Sequence, residues 1–265
     1  REVISMLISV IIPTFNSRDT IARAVSSVLR QTYKDYEIII VDDASDDGVW
    51  DYMTALYGDN QKFHLHRLEL NSGAGTARKV ALSLARGEYY AFLDADDEWL
   101  DTKLARQMDV VRDVNADIVH CSYNIKNSSG ELVGVALAKK QLVIYDFFWR
   151  NQIAMSSSLV SAKLAGALEM PEIRTRQDYA YWWQLVLRNQ PVTVGLIEPL
   201  MNYYITKNSL SSSMPKNVAN NYFMFRHALD YGVPVSCLLV LLNVMSRVCK
   251  FVTIYGQISK KKGVK

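Results

Sequence analysis

Residues Phe92 to Trp99 read FLDADDEW, which packs Asp94, Asp96, Asp97 and Glu98 into five positions behind the apolar run YYAFL. Carboxylates this close repel one another unless something positive sits among them. A magnesium or manganese ion held by one or two carboxylates keeps coordination positions open for phosphate oxygens. The cluster therefore suits a metal and a diphosphate; alternatively, the same acids cap a helix starting near Asp101. A second acidic stretch, VDDASDDG, offers Asp43 as an acceptor for a ribose hydroxyl or the N–H of a uracil ring, with Ser45 or Asp46 as N-cap of the next helix. It lacks the terminal Glu of an EF-hand loop.

The segment NSGAGTARK is neither GxxxxGK[ST] nor GxGxxG, which removes the P-loop and dinucleotide fingerprints. Its Arg78 either reaches a phosphate or a sugar carboxylate, or lies solvated on a helix face. In TRQDYAYWWQLV, Asp178 falls near a helix start. Tyr179, Trp182, Trp183 and Leu185 cannot share one helical face, so some aromatics line a groove or touch a sheet. Beside a carboxylate, an aromatic face suits a sugar ring; the plain alternative is core packing, with Asp178 complementing the helix N-terminus. His64, His66 and His120 read as packing or surface residues rather than ligands.

The elements that must position these side chains alternate between two periods. LISVIIP and YEIIIVDD are continuous β-branched runs, the pattern of strands buried on both faces, and FHLHRLEL and EYYAFLDADD add a third and fourth strand. Between them, SRDTIARAVSSVLRQT, DDGVWDYMTALYG and SGAGTARKVALSLARG carry apolar residues at helical spacing. This order predicts an α/β fold with a doubly wound, mainly parallel central sheet whose ligands bind beyond the carboxyl ends of the strands. Three such ends, PTFN, VDDAS and LDADD, converge on one edge. Further on, TKLARQMDVVRDV reads as a helix, ADIVHCSYNI as a strand, NSSG as a turn and SSSLVS as a short strand. RQDYAYWWQLVLRN reads as a helix, PVTVGLI and PLMNYYIT as two strands, and everything from Met214 onward as a helical tail. The expected organisation is one unit over 6–213, with halves at 6–100 and 101–213, followed by the tail at 214–265.

Bulk properties narrow the function. The 265 residues are 49% hydrophobic with a formal charge of +3, enough for a large core and too near neutral to suggest nucleic acid as a partner. Cys121, Cys237 and Cys249 are an odd set without CxxC spacing, which points to a reducing, cytoplasmic setting and to neither disulfides nor zinc. REVIS, ahead of Met6 and the first strand, reads as a short leader or an appended remnant. No run reaches 18 uninterrupted apolar residues; the nearest, 233–252, is broken by Asn243, Arg247 and Lys250. With Gln257 these form a narrow polar stripe beside a broad apolar face. That pattern predicts an interfacial helix over 233–265 which, with Lys260 to Lys262, meets the anionic inner face of the cytoplasmic membrane; packing on the domain or in a dimer is the alternative.

Taken in order, SVIIPTFN, QTYKDYEIIIVDDAS, NSGAGTARKVALSLARGEYYAFLDADD, RQDYAYWW and YYITKNSLSSS closely resemble the family 2 glycosyltransferases of GT-A fold, in particular those building bacterial capsule, O-antigen or teichuronic-acid polysaccharides. The resemblance runs from about Leu7 to Ser213. It implies that Pro13, Thr14 and Asn16 border a nucleotide and that Asp43 reads its base, typically uracil. It implies that Arg78 and Asp96 serve the diphosphate, that Asp96 and Asp97 hold Mn2+ or Mg2+ with Asp94 in support, and that Asp178 is the general base. Tyr204, Lys207, Ser209 and Ser211 match a loop that closes over the diphosphate. The implied partners are a nucleotide-sugar donor and a saccharide or polyprenyl-diphosphate-linked acceptor. Lys79 departs from the family's Asn, and Gln177 from its Glu. YAYWWQL is not the Q-x-x-R-W signature of processive synthases, so one sugar per encounter is expected. A nucleotidyltransferase would need a glycine-rich loop after the first strand, where PTFNS stands instead. A non-catalytic saccharide-binding protein is the other alternative.

Overall fold

The computed structural model describes residues 6–166, 168–205 and 214–246. A nine-stranded sheet forms from β1 (Ile8–Thr14), β2 (Tyr36–Asp42), β3 (Phe63–Arg67), β4 (Tyr89–Phe92), β5 (Glu98–Trp99), β6 (Ile118–Lys126), β7 (Leu132–Ala136), β8 (Leu159–Ser161) and β9 (Thr193–Tyr204). Its order is β3-β2-β1-β4-β8-β6-β9-β5, with β7 paired to β6. Strands β1 to β4 are mutually parallel, as are β6 and β9, while β8 and the short β5 and β7 pair antiparallel. Most paired residues thus lie in parallel ladders. The chain moves outward from β1 through β2 to β3, then returns to place β4 on the other side of β1. That reversal opens a crevice beyond the carboxyl ends of β1 and β4, where open α/β sheets bind ligands.

Every residue of β1 and β2 is buried, and alternate side chains feed two cores. Ile8, Val10, Ile12, Ile38 and Ile40 meet α1 (Ile21–Leu29), α2 (Val49–Tyr57) and α4 (Lys103–Val114) on one face. Ile11, Ile39, Val41 and Phe92 meet α3 (Ala74–Leu84) and α7 (Gln177–Asn189) on the other. Each such side chain contributes roughly 1.5–3 kcal/mol, so the strand ends stand on a rigid floor. Gly87 lets β4 enter tight against β1: a Cβ there would lie 2.6 Å from the Ser9 nitrogen.

The structure corrects several expectations. PVTVGLI and PLMNYYIT form one strand, β9, whose register against β6 shifts near Ser122, opposite Pro199. Proline removes a ladder donor and is tolerated at such irregularities. The short helices α5 (Ile144–Trp149) and α6 (Ala162–Ala165), too brief to show a period, were not foreseen. The helix after VDDAS is capped by neither Ser45 nor Asp46. It starts from Gly48 at φ 80°, and Asp47 accepts the Val49 N–H at 3.0 Å. The tail is helical where described: α8 (Met214–Phe223), a π turn (Met224–Ala228) and α9 over 233–246. It packs on α5 and α7, with the Trp183 indole donating to the Tyr231 hydroxyl at 3.0 Å. Asn243, read from the sequence as part of a polar stripe, faces inward and donates to the Phe148 carbonyl at 2.8 Å. The rest of that stripe lies outside the described residues. Among the described residues, no helix is long and apolar enough to cross a membrane.

Candidate active site

The β1 and β2 ends are stitched together. Thr14 lies opposite Asp42, and its carbonyl accepts the Asp43 N–H at 2.8 Å. Asn16 adopts φ 47°, a left-handed conformation that asparagine tolerates, and its side-chain oxygen accepts the Asp46 N–H at 3.0 Å. The Ser45 hydroxyl takes the Asn16 N–H at 3.0 Å and bonds the Asp42 carboxylate, which Arg67 pairs at 3.2 Å. Asp43 is buried, and its two oxygens accept the Ser72 and Gly73 N–H groups at 2.7 Å each. Gly73 can turn this corner because it holds φ 90°, a region closed to most side chains. Asp43 therefore anchors the loop entering α3; each of its oxygens keeps a lone pair beyond that contact. Pro13, Thr14, Asn16 and Asp43 share this rim.

The acidic turn follows β4. The Asp97 N–H donates to the Asp94 carbonyl at 3.0 Å, closing a tight turn whose Asp94 and Asp97 line one cavity. Arg78 is no solvated helical residue: it is buried and pairs with Asp94 at 2.5 Å. Arg23 donates to the Asp96 carbonyl at 2.6 Å, not to its carboxylate, and stacks 3.7 Å from the Tyr204 ring. Burial, then the charge of Asp94, pushes the Asp96 carboxyl up to about 6. Asp97 is raised well above the usual carboxylate range by burial, then by Asp94 and Asp96. Among the described residues no cation pairs with either carboxylate. Two crowded carboxylates without a cation partner, Asp97 buried and Asp96 half-buried, are a hard oxygen donor set that fits Mn2+ or Mg2+. Three acidic, His or Cys side chains do not form a ready cage among the described residues; one or two carboxylates completed by substrate phosphates is the usual arrangement for magnesium.

Asp178 approaches from a distant part of the sequence. Arg176 at φ 64° turns the chain into α7, and Asn151 donates to Asp178 Oδ2 at 2.8 Å. Burial raises the Asp178 carboxyl, while Arg78 and Arg176 act in the opposite direction. A cavity of about 410 Å3 is lined by Asp178 together with Arg78, Asp94 and Asp97. The fold thus unites four of the expected site residues in one space. Asp96 and the β1–β2 rim lie outside that lining. Lys207, Ser209 and Ser211 lie outside the described residues.

Other parts of the wall were not foreseen. Ser156 sits in a 3-10 turn (Met155–Ser157), where its hydroxyl accepts the Asp94 N–H at 3.0 Å and also bonds the Asp97 carboxyl. Nothing in SSSLVS signals that role, because it depends on β8 pairing with β4. Asn151, Arg174, Arg176, Tyr123 and Tyr203 also line the wall. The aromatics beside the cavity are Tyr123 and Tyr203, with ring centroids 5.9 Å apart, and not those of α7. Tyr179, Tyr181, Trp182 and Trp183 are all buried, with Tyr181 and Trp182 edge-on to Phe92 of the sheet. Lys79 pairs with Glu169 and Glu172 away from the cavity. His120 is buried in β6 and driven down to about 4 by desolvation, a structural histidine.

The family description Glycosyl transferase family 2 matches residues 9–157. TuaG of Bacillus subtilis (strain 168), a glycosyltransferase assigned to teichuronic acid biosynthesis, is 35% identical over 83% of this chain and 87% of its own. UDP-Glc:alpha-D-GlcNAc-diphosphoundecaprenol beta-1,3-glucosyltransferase WfgD of Escherichia coli is 27% identical over 89% of this chain and 91% of its own. The mannosyltransferase PcManGT of Pyrobaculum calidifontis, solved with GDP-Man and Mn2+, superposes with a TM-score of 0.66 at 16% identity, covering 97% of this chain and 76% of that one. At that identity the likeness concerns the fold, which is the GT-A type. Strand order, the acidic turn at the reversal of the sheet, and the matched residues agree: this chain belongs to glycosyl transferase family 2.

Proposed function

We propose that the chain transfers a single sugar, with inversion, from a UDP-sugar to a saccharide or polyprenyl-diphosphate-linked acceptor during bacterial surface polysaccharide synthesis, on the cytoplasmic side of the membrane. The observation that carries this reading is that Asp178, with a carboxyl raised by burial, shares one cavity with Arg78, Asp94 and Asp97. WfgD takes UDP-Glc and a diphosphoundecaprenol-linked acceptor by name, which supports both partners.

In this reading residues 6–100 hold the donor and 101–213 the acceptor. Pro13, Thr14 and Asn16 border the nucleoside, and Asp43 receives the base N–H with the lone pairs its backbone contacts leave. Arg78 faces the diphosphate from beneath Asp94. Asp96 and Asp97 would hold Mn2+ or Mg2+, which when bound supplies Lewis-acid stabilisation of the leaving nucleoside diphosphate. Lys207, Ser209 and Ser211 would supply further contacts to the phosphates. Asn151 orients Asp178, whose carboxylate accepts the proton of the acceptor hydroxyl as that oxygen attacks the anomeric carbon. A raised carboxyl is a stronger base near neutral pH than an ordinary one. A single displacement converts an α-linked donor into a β-glycoside.

Incubating the chain with a panel of UDP-sugars, Mn2+ and a short-chain prenyl-diphosphate sugar tests the proposal. Product with a β linkage is expected. Metal-dependent nucleotide binding without UDP release from any donor would reduce the chain to a binding protein.

A further inference from the structure

Helix α9 has its polarity reversed. None of residues 233–246 is charged. Its one amide, Asn243, is buried against Phe148, Tyr179 and Asn221, and the Ser236 hydroxyl is buried against the Tyr231 carbonyl. Outward, Val235, Leu238, Leu241 and Met245 are 45%, 55%, 54% and 46% exposed. Beside them a wholly apolar groove of about 740 Å3 opens between α8 and α9, lined by Val218, Ala219, Tyr222 and Val240 among others. A helix that met only water would face the other way, and so large an apolar patch on a soluble protein marks an interaction surface.

The stretch of sequence that carries this patch is one-sided in charge. Residues 214–265 carry eight Lys or Arg and one Asp, net +7, while the first 213 carry 22 and 26, net −4. A second copy seated isologously on the patch would bring one +7 segment against another. An anionic lipid surface complements both the apolar face and the charge. We propose that the outer face of α8 and α9 seats on an anionic bilayer leaflet, with Leu238 and Leu241 in the boundary between headgroups and acyl chains.

The other side of α8 carries Asn220 into the wall of the active-site cavity. The leaflet would then lie about one helix diameter, roughly 10 Å, from the cavity. That position suits an acceptor presented on a lipid diphosphate, so the biological sense of the docking rests on the glycosyl-transfer reading, although the docking itself does not.

Flotation of the full chain with vesicles tests it, in the absence of nucleotide sugar. Binding to phosphatidylcholine containing about 30 mol % phosphatidylglycerol should exceed binding to pure phosphatidylcholine at least tenfold and fall as salt rises. The double variant Leu238→Glu, Leu241→Glu should lose at least tenfold in partition, with melting temperature and UDP release in solution unchanged. Equal binding to both vesicles, binding to neither, or a solution dimer that the double variant dissociates would overturn the proposal. A chain that floats but releases no UDP from any donor keeps this inference and loses the catalytic one; a chain that turns over but never floats does the reverse.

Discussion

Replacing Asp178 with asparagine separates chemistry from binding. The amide is isosteric, and its oxygen can still accept the Asn151 N–H now received by Oδ2 at 2.8 Å. The cavity keeps its shape, and Arg78, Asp94 and Asp97 keep their contacts with one another and with Ser156. What disappears is the carboxylate proposed to accept the acceptor's proton. Positioned general bases contribute roughly 10²- to 10⁴-fold, or about 2.7–5.4 kcal/mol of barrier, so kcat should fall by at least about a hundredfold. Donor affinity should change by less than about threefold. The pH profile gives a second, independent readout. Burial raises the Asp178 carboxyl, so the wild-type rate should climb as pH rises through a value above the ordinary carboxylate range. Asp178→Asn should lack that limb. Titration calorimetry with UDP-sugar and Mn2+, beside single-turnover kinetics across pH, reads all three quantities. A variant that loses donor binding as much as turnover, or that keeps both its rate and its acidic limb, would refute the base assignment.

Asp96→Asn should stabilise the metal-free protein. Burial lifts the wild-type carboxyl from 3.8 to about 6, so the folded state is penalised progressively as pH rises through that window and fully above it. The penalty reaches at most about 3 kcal/mol, and asparagine carries none. Urea melts at pH 4 and pH 7.5 should show a gain only at the higher pH, together with loss of the stabilisation that Mn2+ and UDP confer; a gain of equal size at both would disprove the electrostatic origin. Arg78→Met should cost about 2–3 kcal/mol in a urea melt, below the range for a fully buried pair because Asp94 is partly exposed, and should abolish donor turnover. An unchanged melt would show the Arg78–Asp94 contact to be idle. Ser156→Ala leaves the half-buried Asp94 N–H without its acceptor and loosens Asp97, so it should cost about 1–2 kcal/mol and weaken Mn2+ binding several-fold. Unaltered calorimetric metal affinity would count against that positioning role.

The chain's own periodicities determined much of this molecule. Continuous β-branched runs in β1 and β2 can be satisfied only between two helical layers, which fixed the doubly wound sheet. Asp94, Asp96 and Asp97 marked a candidate site for a charged ligand because carboxylates that close in sequence are close in space whatever the fold. Tertiary structure alone decided which distant groups complete the site. Ser156 reaches Asp94 because β8 pairs with β4, and Asp178 enters the cavity because the left-handed Arg176 turns the chain there. The α7 aromatics went to the core because Phe92 and the tail helices cover them, and that left Tyr123 and Tyr203, from the paired strands β6 and β9, beside the cavity. Helix α9 carries the same lesson. Its sequence marks an amphipathic surface but not its sign, and only the contacts of Asn243 with Phe148 and Asn221 turn the polar side inward. Local chemistry is written in neighbouring residues; orientation and long-range contact depend on how sheet and helices pack.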